Sequence, residues 1–310
     1  MLSWELNLIM KIEWKVQGES AITLKAFLKT KYISKRLLAK VKYQGGRLEV
    51  NGELSRVRKC VSEGDVVSLC LPDEVGSDSL EVSNEPLNIL YEDQHYLIVN
   101  KPSHVASVPS SLYKNHTMAN RVKGYCLRQN YRYKTVHIVT RLDKDTSGVM
   151  IFAKHTLAHS YMDRLLKQKQ LYKEYIAFVD GDLEKEWGLI NKPIDRMPGS
   201  IIKRQVLKTG KASLTEYWVT KKFKQLTQVK IQLHTGRTHQ IRVHFSDIGH
   251  GLVGDDLYNP KSNEYRIERQ ALHCSTVSFT HPFTETKLSV VAQLPADLNK
   301  LSNLLESENG

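Results

Sequence analysis

The chain has 310 residues, enough for one large domain or two smaller ones with a sizeable core. Its 45 Lys and Arg outnumber 33 Asp and Glu, giving a formal charge of +12 and a pI of about 9.4. That balance favours a polyanionic partner, nucleic acid first. Cys60, Cys70, Cys126 and Cys274 are scattered without a Cys-x-x-Cys pair, which fits free thiols in a reducing compartment. No run is long and apolar enough for a membrane-spanning helix, and no secretory leader is visible, so a cytoplasmic location is expected.

Met10 to Val16 reads as a strand, so residues 1–9 are expected to be an extension upstream of the first element. Residues 21–60 hold eleven bases against two acids, Glu49 and Glu53. Leu24, Phe27 and Leu28, then Ile33, Leu37, Leu38 and Val41, recur at helical spacing and predict two short helices. Ser34 is the expected N-cap of the second, which carries Lys35, Arg36 and Lys40. Gly45-Gly46 ends the helical pattern. Leu48 to Gly52 reads as a strand and turn, and Asp65 to Leu71 as a closing strand. A solvated basic face is the bland account of these helices. The accompanying turn pattern weighs against it.

Residues 73–86 change character. They hold Asp73, Glu74, Asp78, Glu81 and Glu85 with no Lys or Arg, among Ser, Gly and Pro. This is a linker composition. The expected division is a unit at 1–74 (core about 20–73), an acidic linker at 75–86 and a larger α+β domain at 87–310. In that domain, Ile89 to Pro102 predicts two strands ending at a proline. Val136 to Leu142 is an extended approach, Thr146-Ser147-Gly148 a turn and Val149 to Ala153 a buried strand. Thr156 to Gln168 has helical spacing, and Tyr172 to Gly181 is a strand ending in a turn. On that strand Lys173, Tyr175, Ala177 and Val179 share one face. Thr238 is expected to cap a helix that Gly249 terminates.

Asp143 follows Arg141 and Leu142 on a short loop between strands, a setting that positions an acid rigidly. Taken alone, Arg141 and Asp143 would be read as a surface ion pair, and Tyr175 as a packing residue. His234, His239 and His244 invite a metal reading, but His239 and His244 are five apart rather than four, so no metal is expected.

Three ordered motifs change this weighing. Arg141-Leu-Asp-x-x-Thr-Ser-Gly148, Lys173-x-Tyr175-x-Ala177-x-Val179-x-Gly181 and Gly236-Arg-x-His-Gln-Ile-Arg242 together resemble the RluA-type pseudouridine synthases, over about residues 87–295. The family usually has His before the first arginine, where this chain has Thr140. The basic segment resembles the small RNA-binding fold named after ribosomal protein S-four. The resemblance implies an α+β catalytic domain with a mixed, mainly antiparallel sheet flanked by helices, preceded by a small α/β RNA-binding domain.

It further implies an isomerase that converts uridine to pseudouridine in structured RNA, ribosomal RNA rather than tRNA by a narrow margin. Asp143 would be the catalytic acid, Tyr175 the ring that stacks on the base, and Arg237 the partner of the aspartate. Arg141, Lys101, Lys35, Arg36 and Lys40 would contact RNA. The reaction moves no group to an acceptor, so no cofactor is expected, and a monomer suffices. The alternative is an inactive RNA-binding or ribosome-assembly protein that keeps the fold, which would have no need for Asp143, Tyr175 and Arg237 together. A hydrolase is disfavoured because no Gly-x-Ser-x-Gly elbow is present.

Overall fold

A computed structural model describes residues 10–18, 20–260 and 267–309. Residues 1–9, expected to be an upstream extension, lie outside them. The N-terminal unit comprises β1 (Lys11–Lys15), β2 (Ile22–Thr23), α1 (Leu24–Thr30), α2 (Lys35–Tyr43), β3 (Arg47–Val50), β4 (Glu53–Leu54), β5 (Cys60–Val61) and β6 (Val66–Cys70). Its sheet runs β1-β6-β3-β4, and β2 pairs with β5. Leu24, Phe27, Leu28, Ile33, Leu37 and Val41 point inward, so the apolar spacing forms the helices' packed side. Ser34 accepts from the Leu37 N–H at 3.1 Å and caps α2. Asn51 and Gly52 both take positive φ in the turn from β3 to β4. Asn51 then bonds Asp65 at 2.8 Å, which joins this turn to the one before β6.

The larger unit begins with β7 (Ile89–Glu92), β8 (Tyr96–Lys101), α3 (Met118–Arg128), β9 (His137–Ile138) and β10 (Ser147–Ala153). Then come α4 (Thr156–Lys167), β11 (Tyr172–Asp180), β12 (Trp187–Asn191), β13 (Ile194–Arg196), β14 (Arg204–Val206), β15 (Leu214–Lys222) and β16 (Leu226–Leu233). It closes with α5 (Gln240–Asp247), β17 (Leu272–Thr280), β18 (Lys287–Val291) and α6 (Ala296–Asn309). A sheet of order β12-β15-β16-β11-β17-β10-β8-β7 forms the middle layer, with β18 on β17 and β9 on β10. Period-two alternation along β11 buries Tyr175, Ala177 and Val179 with residues of α4 and α5. Phe178 turns the other way, into the cluster under α6. The fold is therefore α+β with a mainly antiparallel sheet covered by helices.

The β10–β17 pair is parallel, whereas the other paired strands run antiparallel. It spans two rungs, Ser147 with His273 and Gly148 with Cys274. Gly148 has φ +116, and a Cβ there would collide with the Cys274 backbone. The Thr-Ser-Gly turn thus ends in glycine for two reasons: its backbone angle and the close approach of β17.

The acid-rich stretch 73–86 is laced onto the larger unit. Glu74 bridges to Tyr133 in parallel fashion, and the Lys134 N–H donates to the Glu74 carbonyl at 2.7 Å. Its carboxylate takes His137 and both the N–H and hydroxyl of Thr156. Asn120 Nδ2 donates to the Glu81 carbonyl at 2.8 Å, and Lys123 Nζ to that of Ser77 at 2.9 Å. The composition suggested a linker, but Glu74 and Asp73 and several backbone carbonyls of the stretch have partners far along the chain. Tyr133, Leu157 and Tyr161 also belong to the apolar cluster of the N-terminal unit. The Tyr161 hydroxyl donates to the Lys31 carbonyl at 2.9 Å. The two units share a core.

Candidate active site

Asp143 sits on the loop entering β10, beside the parallel joint. Successive residues of this loop are anchored from separate elements. Ser107 grips Leu142 twice: its Oγ donates to the carbonyl at 2.6 Å and accepts from the N–H at 3.0 Å. Lys101 Nζ donates to the Lys144 carbonyl at 2.7 Å, and Arg269 Nη1 to the Asp145 carbonyl at 3.2 Å. Gln270 Nε2 donates to Thr146 Oγ1 at 3.0 Å, and the Thr146 N–H closes the turn on the Asp143 carbonyl at 3.1 Å. Thr140 Oγ1 accepts from the Ile151 N–H at 2.9 Å, so the residue replacing the usual His fastens the loop to β10. The backbone around Asp143 is held while its carboxylate remains 27% exposed.

Lys101, expected to touch RNA, does not face solvent. It is fully buried, and its ammonium donates to the carbonyls of Pro102 and Val105 as well as Lys144. Burial pushes its pKa down to about 7, with the charges of Asp145 and Asp143 opposing that fall. Two loops share this lysine as a clasp, and its place as an RNA contact is withdrawn.

The expected pairing of Arg237 with Asp143 is also corrected. Arg237 is exposed on the loop before α5, where its Nε donates to the Ala212 carbonyl at 3.2 Å. Arg242, one turn into α5, reaches the acid instead, with Nη1 3.3 Å from Asp143 Oδ2. Asp255 fixes its direction: Nε and Nη2 make a bidentate pair with that carboxylate at 2.7 and 2.8 Å. Asp255 is fully buried and also accepts the N–H groups of Leu257 and Tyr258. With that edge occupied, Nη1 is left for Asp143. Burial alone would lower the Arg242 pKa, but the two carboxylates more than offset it and raise it. Asp143 Oδ1 has no hydrogen bond among the described residues. One carboxylate oxygen is thus held by the guanidinium and the other is open.

His239 completes this side. It caps α5 in place of Thr238, with φ 57 and no side-chain cap bond. The reason lies in its ring: Nδ1 meets the Tyr258 hydroxyl at 2.8 Å, which pulls the residue out of helical geometry. Tyr258 already accepts the Arg204 N–H at 2.8 Å and keeps its own proton for Nδ1. His239 Nε2 lies 3.9 Å from Asp143 Oδ2.

Tyr175 lies across the joint on β11, 4% exposed and paired with Cys274. Burial, contact with the Cys274 thiol and the charge of Asp143 raise its pKa well above that of a free phenol. It remains protonated, a ring surface and hydroxyl donor rather than a ready base. Arg141, two residues before the acid, is exposed. Lys35 and Arg36 are exposed and Lys40 half-buried on α2, in the other unit and not in this cluster.

The structure brings Asp143 and Tyr175, expected from the sequence, to the same joint, and adds Arg242, Asp255, His239 and the anchors Ser107, Arg269 and Gln270, which the sequence reading did not name as site residues. Arg242 stood in the same motif as Arg237. An acid that must turn an arginine was a signal available but unused.

A buried arginine held between an open carboxylate and a closed one, beside a tyrosine on the central strand, describes an acid–base site without a metal cluster among the described residues. The RNA pseudouridylate synthase family profile matches residues 95–247. An uncharacterized RNA pseudouridine synthase of Bacillus subtilis, YjbO, is 42% identical, covering 90% of this chain and 98% of its own. Ribosomal large subunit pseudouridine synthase D of Xylella fastidiosa is 34% identical over 86% of this chain and 83% of its own. The solved human RNA pseudouridylate synthase domain containing 1 aligns with TM-score 0.55 and 25% identity over 73% of this chain and 96% of its own. The chain belongs to the RNA pseudouridine synthase family. It is an isomerase whose substrate is uridine in RNA.

Proposed function

We propose that Asp143 is the catalytic carboxylate and that the substrate is ribosomal RNA of the large subunit in preference to tRNA. The observation that carries the first part is the state of Asp143: a loop anchored at successive residues, one oxygen on Arg242 and the other open. A uridine in a stacked RNA must be flipped out to reach it, at about a few kcal/mol. Arg141 would hold a phosphate of the displaced strand. The open oxygen would then act on the ribose as the N1–C1′ bond breaks, and the uracil rejoins through C5. Arg242 keeps the acid aimed. Tyr175 offers its ring to the base.

The relatives named for the large ribosomal subunit support the substrate assignment, as does the basic N-terminal unit, an S-four-like RNA-binding domain on this reading. Lys35, Arg36 and Lys40 would contact its phosphates. The enzyme would act as a cytoplasmic monomer, without a metal. Chemical mapping of pseudouridines in total RNA, with and without the gene, tests the assignment. Loss of a site in the large-subunit RNA is expected. Loss confined to tRNA would overturn the ribosomal reading, and no loss at all the catalytic one.

A further inference from the structure

Lys101 and Lys154 are the buried lysines among the described residues of the larger unit, and both have partners. Lys101 has three carbonyls. Lys154 has Glu92 at 3.0 Å, the Asp93 carbonyl at 2.8 Å and the Tyr131 ring. Lys173 is half-buried and has no hydrogen bond or ion pair among the described residues. A cation withdrawn from water without a counter-charge is costly, so its retention calls for an explanation outside the folded chain.

Its surroundings say where that explanation lies. Lys173 is two residues from Tyr175 on the same strand face, about 6.6 Å along β11. Cys274 neighbours both side chains: it pairs with Tyr175 across the sheet and lies near enough to Lys173 for each to affect the other's proton affinity. Asp143 is in turn close enough to act on Tyr175. On the opposite side is the loop leading to His239 and Arg242. The atom nearest to a Cβ built on Gly236 of that loop is Lys173 Nζ, at 3.8 Å. Gly236 does not have a positive φ, so neither backbone nor packing demands a glycine there. What the glycine leaves is open space against the ammonium.

We propose that Lys173 is a further catalytic residue, one that binds a carbonyl oxygen of the flipped uracil and stabilises the negative charge developed there. This rests on the reading of the chain as a uridine isomerase acting through Asp143. When the N1–C1′ bond breaks, its electron pair stays on the uracil and spreads from N1 over the two carbonyl oxygens. The ring turns, C5 bonds to C1′, the C5 proton leaves and N1 takes one up, so composition is unchanged. A backbone phosphate would remain near the solvated rim by Arg141. The base is the part of the nucleotide that enters beside Tyr175. A desolvated cation interacts more strongly with charge that develops in such a site than with charge left in water. Burial lowers the Lys173 pKa, the cost of desolvating an ammonium, and negative charge developing on the base would offset that fall.

The test compares wild type with Lys173→Met and Lys173→Arg on an in vitro transcript of the large-subunit RNA carrying the mapped uridine. Lys173→Met should lower the single-turnover rate by about 10²–10³, the usual loss for one donor to a developing oxyanion. RNA affinity should stay within about twofold, and the melting temperature should hold or rise because an unpaired charge is removed. Lys173→Arg should restore part of the rate. In a transcript made with 5-fluorouridine, the fluorine itself stabilises the uracil anion, so the Lys173→Met penalty on consumption of the original nucleoside should shrink. An equal penalty on both transcripts, a weakened affinity with unchanged rate (a phosphate contact), or a wild-type rate would each overturn the assignment. A wild-type protein that forms no pseudouridine would instead remove the catalytic reading on which it rests.

Discussion

The two units use charge in opposite ways. In the N-terminal unit, Lys35 and Arg36 stand exposed on a helix held by its apolar face and the Ser34 cap. Around Asp143 the charges are few and individually tied: Arg242 to Asp255, Arg269 to Asp297 at 2.6 Å, Lys101 to three carbonyls. Exposed charges in high dielectric act by sum, so each is replaceable. Buried ones act by geometry, so the loss of one strands its partner. The contrast is between recruitment and chemistry.

The sharpest way to break the comparison is at the acid. Asp143→Asn keeps the shape of the side chain but removes the proposed reactive oxygen, and should abolish pseudouridine formation while leaving RNA affinity within a few-fold. Substantial single-turnover product from the purified variant would remove Asp143 from the mechanism. The next effect is on the fold and the site together. Arg242→Met leaves the buried Asp255 unpaired and should cost about 3–5 kcal/mol by denaturant titration. Arg237→Met, on the surface, should stay within about 0.5 kcal/mol. The reverse order would restore the pairing inferred from the motif alone.

Gly148→Ala forces a side chain into the Cys274 backbone at a positive φ and should cost on the order of 3 kcal/mol, with loss of activity from a displaced loop. A melting temperature within a degree or two of wild type would show that the parallel joint yields.

The seam between the units should respond to acid. Burial holds His95 at about 4 and His155 at about 3, and the two rings bond at 3.0 Å. Burial would raise Glu74, but His137 and Thr156 outweigh it and bring it down to about 2. All three are depressed in the folded protein, so the unfolded chain binds more protons once pH drops below its own pKa values. The histidines' contribution is present above 6.5 and is lost as pH falls toward 4. The Glu74 contribution is lost from 4.5 downward. Thermal melts between pH 7 and 4 should show a falling midpoint. His155→Asn, which can still cap α4, should flatten the upper part of that fall. An unchanged slope would place the titration elsewhere.

The smallest effect belongs to the distributed face. Replacing Lys35, Arg36 and Lys40 together by alanine should leave stability within about 0.5 kcal/mol. The dependence of log affinity on log salt should become shallower by up to about three counterions. An unchanged salt slope would return α2 to a solvated face.

Sequence alone determined whatever follows from local spacing. The apolar positions of α1, α2 and α4 and the alternation of β11 were legible because helix and strand periods repeat within a few residues. So was the Ser34 cap, whose bond spans three residues. The acid-bearing loop was legible because arginine, leucine, aspartate and the Thr-Ser-Gly turn are contiguous. The partners of long polar side chains were decided by tertiary structure. Arg237 and Arg242 lie in one motif, and only the position of Asp255 relative to α5 shows which reaches Asp143. Lys101 looked like a surface base until the carbonyls of Val105 and Lys144 closed on it. The stretch 73–86 looked like a tether until His137 and Thr156 came within reach of Glu74, Arg132 of Asp73, and Lys123 of the Ser77 carbonyl. A buried charge is placed by groups that converge from far along the chain, and no local period encodes that convergence.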